Sequence, residues 1–347
     1  MSTEESNIQR TEISELGEFK LIATLTSEFV QVQNSTIKSI GDDAAVIDLG
    51  DRAMVITTDL LVEWIHFDLM YTPLKHLGYK AVVVNLSDVY AMNAIPSHIT
   101  VSISVSNRFS VEALQELYEG IRIACETYKV DLVGGDTTSS PKGLTLSVTA
   151  VGFQSKEKIT YRNGAKAGDQ IYVSGHLGAA YLGLQLLERE KQIYLENPNI
   201  QPDLENQDYV VGKFLKPEAR KDTILWLAKS GVIPTAMMDL SDGLSSDLLH
   251  ICKQSQCGAI IDEESVPIHT DAKLLAIKFN LDPITCALNG GEDYELLFCV
   301  KAEDTDKLKF LPDFYHIGEI TTPDAGTQLR SSSGKLHPLT AQGWNHF

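Results

Sequence analysis

The stretch Gly41-Asp42-Asp43-Ala44-Ala45-Val46-Ile47-Asp48-Leu49-Gly50-Asp51-Arg52-Ala53-Met54-Val55-Ile56-Thr57-Thr58-Asp59 holds two strand-like apolar runs, Ala44 to Leu49 and Ala53 to Thr58. Gly50-Asp51 between them reads as a hairpin turn. Both runs meet acidic residues at an end. Gly41-Asp42-Asp43 comes just before the first, and Thr57-Thr58-Asp59 closes the second. Carboxylates and hydroxyls placed where a strand gives way to a turn form an oxygen-rich ligand set for hard cations. Asp42-Asp43 taken alone reads as a solvated turn before it reads as a ligand pair.

Four further acidic motifs interrupt the chain: Leu86-Ser87-Asp88, Gly134-Gly135-Asp136, Asp239-Leu240-Ser241-Asp242-Gly243 and Gly290-Gly291-Glu292-Asp293. Asp88 falls in a predicted helix, Pro73 to Met92, that is interrupted near Leu86-Ser87-Asp88. A buried carboxylate there needs a partner or a metal. Gly134-Gly135 lets a ligand approach the backbone closely, because neither residue has a Cβ. Ser241 reads as the N-cap of a helix from Ser241 to Lys253, with free N–H groups suited to phosphate. In isolation the commoner reading is an ordinary acidic helix start, favoured by the helix dipole. Glu292-Asp293-Tyr294-Glu295 is either a surface turn or a contact to a cationic ligand. His66, between Trp64 and Phe67, reads by default as a packed histidine. Scattered ligands that converge only in the fold point to a multi-metal site handling phosphate groups.

The remaining pattern is α/β. Ile99 to Val105 and Leu144 to Phe153 alternate as strands, and Val111 to Tyr128 is a helix with Ser110 as N-cap. A boundary is expected after Phe153, giving domains 1–153 and 154–347, with the polar stretch Gln154 to Asp169 between them. Beyond it come a strand at Gln170 to Val173, a helix at Pro217 to Lys229 closed by Gly231, and a buried strand at Leu296 to Val300. Glu190 to Tyr209 reads as a long loop.

A length of 347 residues favours two domains, and 43% apolar content fits a globular chain. The net charge of −18 argues against nucleic acid or anionic lipid as partner. It would also repel an anionic small substrate unless divalent cations stood between. No window suits a membrane span, and Met1 to Glu18 is polar and acidic, unlike a secretory signal. Cys125, Cys252, Cys257, Cys286 and Cys299 are dispersed, without C-x-x-C spacing, as in a cytoplasmic enzyme. The P-loop, the G-x-G-x-x-G fingerprint and the protein-kinase signatures are missing; Gly175-His176-Leu177-Gly178 is no substitute.

In this order the motifs resemble the thiamine-monophosphate kinase family. The resemblance runs from Gly17-Glu18-Phe19 through Ile40-Gly41-Asp42-Asp43 to Gly343-Trp344-Asn345-His346-Phe347. Asn289-Gly290-Gly291-Glu292-Asp293-Tyr294-Glu295-Leu296 and the C-terminal ending favour it over the related aminoimidazole ribonucleotide synthetases, selenophosphate synthetases and hydrogenase maturation proteins. The resemblance implies Mg²⁺-dependent transfer from ATP to thiamine monophosphate, giving ADP and thiamine diphosphate. It implies a homodimer in which strands of the N-terminal α/β domain form a subunit-spanning β-barrel while the C-terminal α/β domain covers the cleft. It also assigns roles. Asp43, Thr57, Thr58, Asp59, Asp88, Asp136, Asp239 and Asp242 look like ligands for several Mg²⁺ ions. Tyr118, Gly135, Asp136, Arg162 and Ser241 look like ATP contacts, and His66, Glu292 and Trp344 look like thiamine contacts. The acceptor phosphate, with a second pKa of about 6, is already anionic near neutral pH, so no general base is needed. Two readings compete: an aminoimidazole ribonucleotide synthetase-like enzyme, and a non-catalytic metal- or nucleotide-binding protein of the same fold. A selenophosphate synthetase would need a reactive cysteine near the N-terminus, and the first here is Cys125.

Overall fold

The structure is a computed structural model and describes residues 18–341, so Gly17, Trp344 and the rest of the C-terminal motif lie outside the described residues. The first part contains α1 (Glu18–Thr26), β1 (Thr36–Lys38), β2 (Ala45–Asp48), β3 (Ala53–Val62), α2 (Leu74–Ala91), β4 (Ile95–Val105), α3 (Val111–Tyr128), β5 (Asp131–Ser139) and β6 (Thr145–Gln154). Its six strands lie in the order β1-β2-β3-β6-β4-β5. The expected hairpin is β2–β3, with Ala45 opposite Ile56 and Asp48 opposite Ala53. Ser110 caps α3 as expected, its side chain accepting from the Ala113 amide.

Strand alternation sorts this sheet into two unlike faces. Leu146, Val148 and Ala150 of β6 are buried, whereas Thr145, Ser147 and Thr149 between them are only half-buried. The second face is rich in hydroxyls, with Thr100, Ser102 and Ser104 of β4 paired to those three residues. The apolar face packs against α2. That helix is continuous through Leu86-Ser87-Asp88, not interrupted, and is buried on nearly every side. A helix apolar all round belongs between two layers. One cluster indeed joins Val82, Leu86 and Val89 of α2 to Val148 of β6 and to Met237 and Phe298 of the second part.

That second part contains β7 (Gln170–Ser174), α4 (Ala179–Glu196), α5 (Asp208–Leu215), α6 (Lys221–Ser230), β8 (Ala236–Asp239), α7 (Leu244–Ser255), β9 (Gly258–Asp262), α8 (Thr270–Lys278), α9 (Pro283–Asn289), β10 (Leu296–Val300), α10 (Thr305–Leu308), β11 (Phe314–Thr321), β12 (Thr327–Arg330) and β13 (Leu336–Pro338). Seven strands run β13-β12-β9-β11-β7-β10-β8. The chain is therefore a two-domain α/β protein; among the described residues there are two mixed sheets, and neither closes into a barrel within one chain.

Three local expectations are corrected. The loop expected over residues 190–209 is shorter, because α4 runs on to Glu196 and α5 begins at Asp208. The helix expected from Pro217 begins at Lys221, although Gly231 does end it in the left-handed conformation, φ 66°. Ser241 is not an N-cap: α7 starts at Leu244 behind Gly243. Gly243 has φ 107°, and a Cβ there would lie 3.0 Å from the Asn289 backbone, so the chain can turn into α7 only with glycine at this point. Among the described residues, no helix is long and apolar enough to cross a membrane.

Candidate active site

The site lies where α2 meets the middle of β3 and the end of β8; β3 runs on to Val62, so Thr57-Thr58-Asp59 lies inside the strand and does not close it as expected. Thr57 and Asp59 of β3 stand opposite Ala150 and Val148, on the buried face of the first sheet. There Thr57 Oγ1 donates to Asp88 Oδ2 of α2 at 2.7 Å, and the Asp59 amide donates to Asn85 Oδ1 at 2.9 Å. Ser87, the neighbour of Asp88, donates to Asp239 Oδ2 at the end of β8, at 2.7 Å. Asp43, in the turn before β2, accepts from Arg162 Nη2 at 2.7 Å. Each of Asp43, Asp88 and Asp239 offers a carboxylate oxygen within 4.8 Å of the others.

Such crowding is unfavourable without a cation. Burial, then the charges of Asp59, Asp239 and Asp43, hold the Asp88 carboxyl well above its ordinary range. Burial and then Asp43 push Asp239 up to about 8; burial and then Glu18 push Asp59 up to about 6. These are the shifts that desolvation and like charges produce together. Asp43 Oδ2 is buried without a hydrogen-bond partner. An orphaned buried oxygen inside an all-oxygen donor set suits Mg²⁺ or another hard divalent cation.

A cleft of about 1820 Å³ opens from the cluster, and Ser241, Asp242, Arg162, His66 and Glu292 line it. Arg162 is anchored twice, through Asp43 and through its amide to Asp42 Oδ1 at 3.1 Å, while its buried Nε has no partner. His66 Nδ1 accepts from the Val62 amide at 3.0 Å, which orients the ring at the wall of the cleft. Glu292 forms an ion pair with the buried Lys80 of α2 at 3.1 Å. Its neighbour Asp293 holds the start of α4 instead, Oδ2 accepting from the Gly178 amide at 2.7 Å. Glu295 is fully buried and bound by Ser174 (2.7 Å), Arg220 and Lys213 (2.9 Å), and the charges of Arg220 and Lys213 hold its carboxyl below the usual range despite burial.

Four sequence-predicted residues are not brought to the cluster. Thr58 sits on the opposite face of β3, its Oγ1 donating to the Val148 carbonyl at 3.0 Å. Tyr118 is half-buried on α3, and Gly135 and Asp136 belong to β5, which is exposed along its whole length. The register sets the separation: Asp136 pairs with Ser102, Ser102 with Ser147, and Ser147 with Leu60. Asp136 is thus three strands from β3, or about 14 Å at the usual strand spacing. Conversely, sequence reasoning missed Asn85, Lys80 and Asp247. Asp247 is buried, with Oδ2 accepting from the Asp242 amide at 3.3 Å and Oδ1 unpartnered. A polar residue on the all-apolar helix α2 was the available signal for Asn85 and Lys80.

Comparison with known proteins places this geometry. Residues 41–154 match the model for the AIR synthase related protein N-terminal domain, and residues 166–328 match the corresponding C-terminal domain. The thiamine-monophosphate kinase of Buchnera aphidicola (subsp. Schizaphis graminum) is 38% identical over 96% of this chain and 99% of its own. That of Aquifex aeolicus is 34% identical over 96% and 99%. A solved structure described as AaThiL complexed with AMPPCP and TMP superposes with a TM-score of 0.82 at 31% identity, covering 97% of this chain and 99% of that one.

Proposed function

This chain belongs to the thiamine-monophosphate kinase family, and from that premise we infer that it transfers the γ-phosphoryl group of ATP to the phosphate of thiamine monophosphate. The products are ADP and thiamine diphosphate. The observation that carries the reading is the Asp43–Asp88–Asp239 cluster, whose ligand atoms lie within 4.8 Å of one another at the head of a cleft large enough for two substrates. The relative bound to AMPPCP and TMP supports both ligands sharing that cleft.

Asp43, Asp88 and Asp239 would hold Mg²⁺, with Thr57, Asp59 and Asp242 beside them. Bound Mg²⁺ neutralises the two polyanions and stabilises charge on the transferring group. Arg162, fixed by Asp43, adds permanent positive charge on the ATP side with Ser241. The acceptor oxygen is already anionic, so direct in-line attack needs no proton removed, and the chain's residues bind and orient. His66 and Glu292 take the thiamine side, Glu292 facing its cationic ring. Trp344 joins the thiamine side, as the family resemblance implies.

Tyr118, Gly135 and Asp136 fit the same scheme only in a homodimer. The exposed edge strand β5 carries Leu132 and Val133 at 43% and 59% exposure, and the hydroxyl-rich face of the first sheet has no covering layer among the described residues. A second copy added there would build a subunit-spanning barrel and carry Asp136 toward its neighbour's cleft, an isologous arrangement. We assign residues 1–153 to metal, ATP and dimer contacts and residues 154–347 to closing the substrate site. Cytoplasmic residence is supported by five free cysteines.

The test is a product assay with ATP, Mg²⁺ and thiamine monophosphate, beside free thiamine and an EDTA control. Thiamine diphosphate formed from the monophosphate alone, and only with metal, supports the reading. No product from folded, Mg²⁺-replete protein returns the substrate to the aminoimidazole ribonucleotide synthetase-like alternative.

A further inference from the structure

Lys80 is a buried ammonium to which the reaction gives no role. It stands on α2, 3% exposed, with Nζ donating to the Phe214 carbonyl at 3.2 Å and to Glu292 Oε2 at 3.1 Å. Nζ also lies 4.2 Å from the centre of the Phe214 ring. A lysine buried this deeply is rare unless paired, and these three contacts fix its position. Glu292 is the partner that stays in touch with the cleft, its side chain 28% exposed.

The backbone around Glu292 explains why a tether is needed. Gly291, Glu292 and Tyr294 have φ of 71°, 57° and 50°, and the last two are conformations that side chains adopt only under constraint. The segment is held at its backbone by the turn that ends β8: the Glu292 amide donates to Ser241 O at 2.7 Å and the Tyr294 amide to Leu240 O at 2.9 Å. Gly291 packs so tightly that a Cβ would meet Ser241 O at 2.6 Å. The side chain of Glu292, in contrast, lines the same cleft as the carboxylates of Asp59, Asp88 and Asp239. Like-charge repulsion would drive a free Glu292 carboxylate away from that cluster.

We propose that Lys80 is a positioning residue for acceptor recognition: by holding Glu292 Oε2 from the side of α2, it aims the Glu292 carboxylate at the positively charged ring of the acceptor. This rests on the kinase reading above and deepens it, since the residue that selects a cationic acceptor is set by a cation of the protein itself. Removing the tether weakens acceptor binding without touching the phosphate chemistry.

The experiment is steady-state kinetics on wild type, Lys80→Met, Glu292→Gln and the double variant, with thermal melts of each. Lys80→Met is expected to raise KM for thiamine monophosphate about tenfold, with kcat and the KM for ATP within about threefold of wild type. Because Lys80 acts through Glu292, the double variant should match Glu292→Gln alone. Should Lys80→Met fail to fold, the double variant, which leaves no unpaired buried charge, is read against Glu292→Gln, and a further rise in KM overturns the proposal. An unmoved acceptor KM in folded Lys80→Met, or parallel loss in kcat and both KM values, overturns it too. Wild-type protein that makes no thiamine diphosphate sinks the kinase reading and this inference with it. Wild-type turnover with an unmoved variant KM sinks this inference alone.

Discussion

Ser87 Oγ on α2 donates to Asp239 Oδ2 at the end of β8, 2.7 Å away, and this bond joins the layer behind the first sheet to the edge strand of the second. The carboxylate cluster is therefore assembled across a domain junction, and its geometry depends on the hydroxyl of Ser87. Ser87→Ala leaves a buried carboxylate oxygen without its donor, a loss of about 1–3 kcal/mol in comparable cases. We expect the variant to fold and to need several-fold more Mg²⁺ for half-maximal activity. A metal titration that superposes on wild type would refute this.

Asp88 sets a second expectation, in which activity and stability move in opposite directions. Its carboxyl is held well above the ordinary range by burial and by three neighbouring carboxylates, so its ionised form is a destabilising element of the metal-free protein. Asp88→Asn keeps the shape and can still accept from Thr57. Turnover should fall by at least about a hundredfold, as when a charge-stabilising group is removed from a reaction centre. The melting temperature of the metal-free variant should equal or exceed that of wild type. Near wild-type turnover in the folded variant would sink the metal-cluster model.

The raised carboxyls also fix how metal and pH combine. Asp59 and Asp239 titrate near 6 and 8 in the folded chain, above the roughly 3.9 of an unfolded aspartate. Folding thus takes up protons at these sites. The stability they confer is complete below the unfolded value and is lost as pH rises through 6 and then 8. Mg²⁺ requires the ionised forms, so binding releases those protons. The rise in melting temperature produced by Mg²⁺ over EDTA-treated protein should grow between about pH 5 and pH 9. An increment independent of pH would contradict the assignment of these carboxyls to the metal.

Legibility in the sequence followed the range of the interaction. The β2–β3 hairpin, the Ser110 cap and β10 were readable because a few adjacent residues determine them. So were the motifs that contain Asp43, Asp88 and Asp239, since an acidic residue in an apolar stretch demands a reason. The sequence could not show that α2 runs unbroken through Asp88, because that depends on burial between two layers. Ser241 carried a local capping signal that the close approach of Gly243 to Asn289 overrode. Lys80 and Asn85 find their partners in Glu292 and Asp59, 212 and 26 positions away, and no local pattern foretells such pairs. Strand register separated Asp136 from Asp59, although motif reading had placed both in one ligand set.

That separation yields the last prediction. Asp136 stands on the exposed edge strand β5, while Asp88 belongs to the cluster at the other side of the sheet. In a homodimer joined along β5, the Asp136 needed by one cleft comes from the opposite copy, so each site draws on two chains. Asp88→Asn and Asp136→Asn should then each be nearly inactive alone. Mixed and allowed to exchange subunits, they should regain activity, because half of the dimers are mixed and each mixed dimer keeps one intact site. The expected recovery is about a quarter of the wild-type rate for full exchange of a two-fold assembly. Val133→Lys, which places a charge on the exposed edge, should yield monomers by sedimentation and abolish the recovery. Exchange-competent variants that show no recovery would place Asp136 in its own chain's site or outside the reaction altogether.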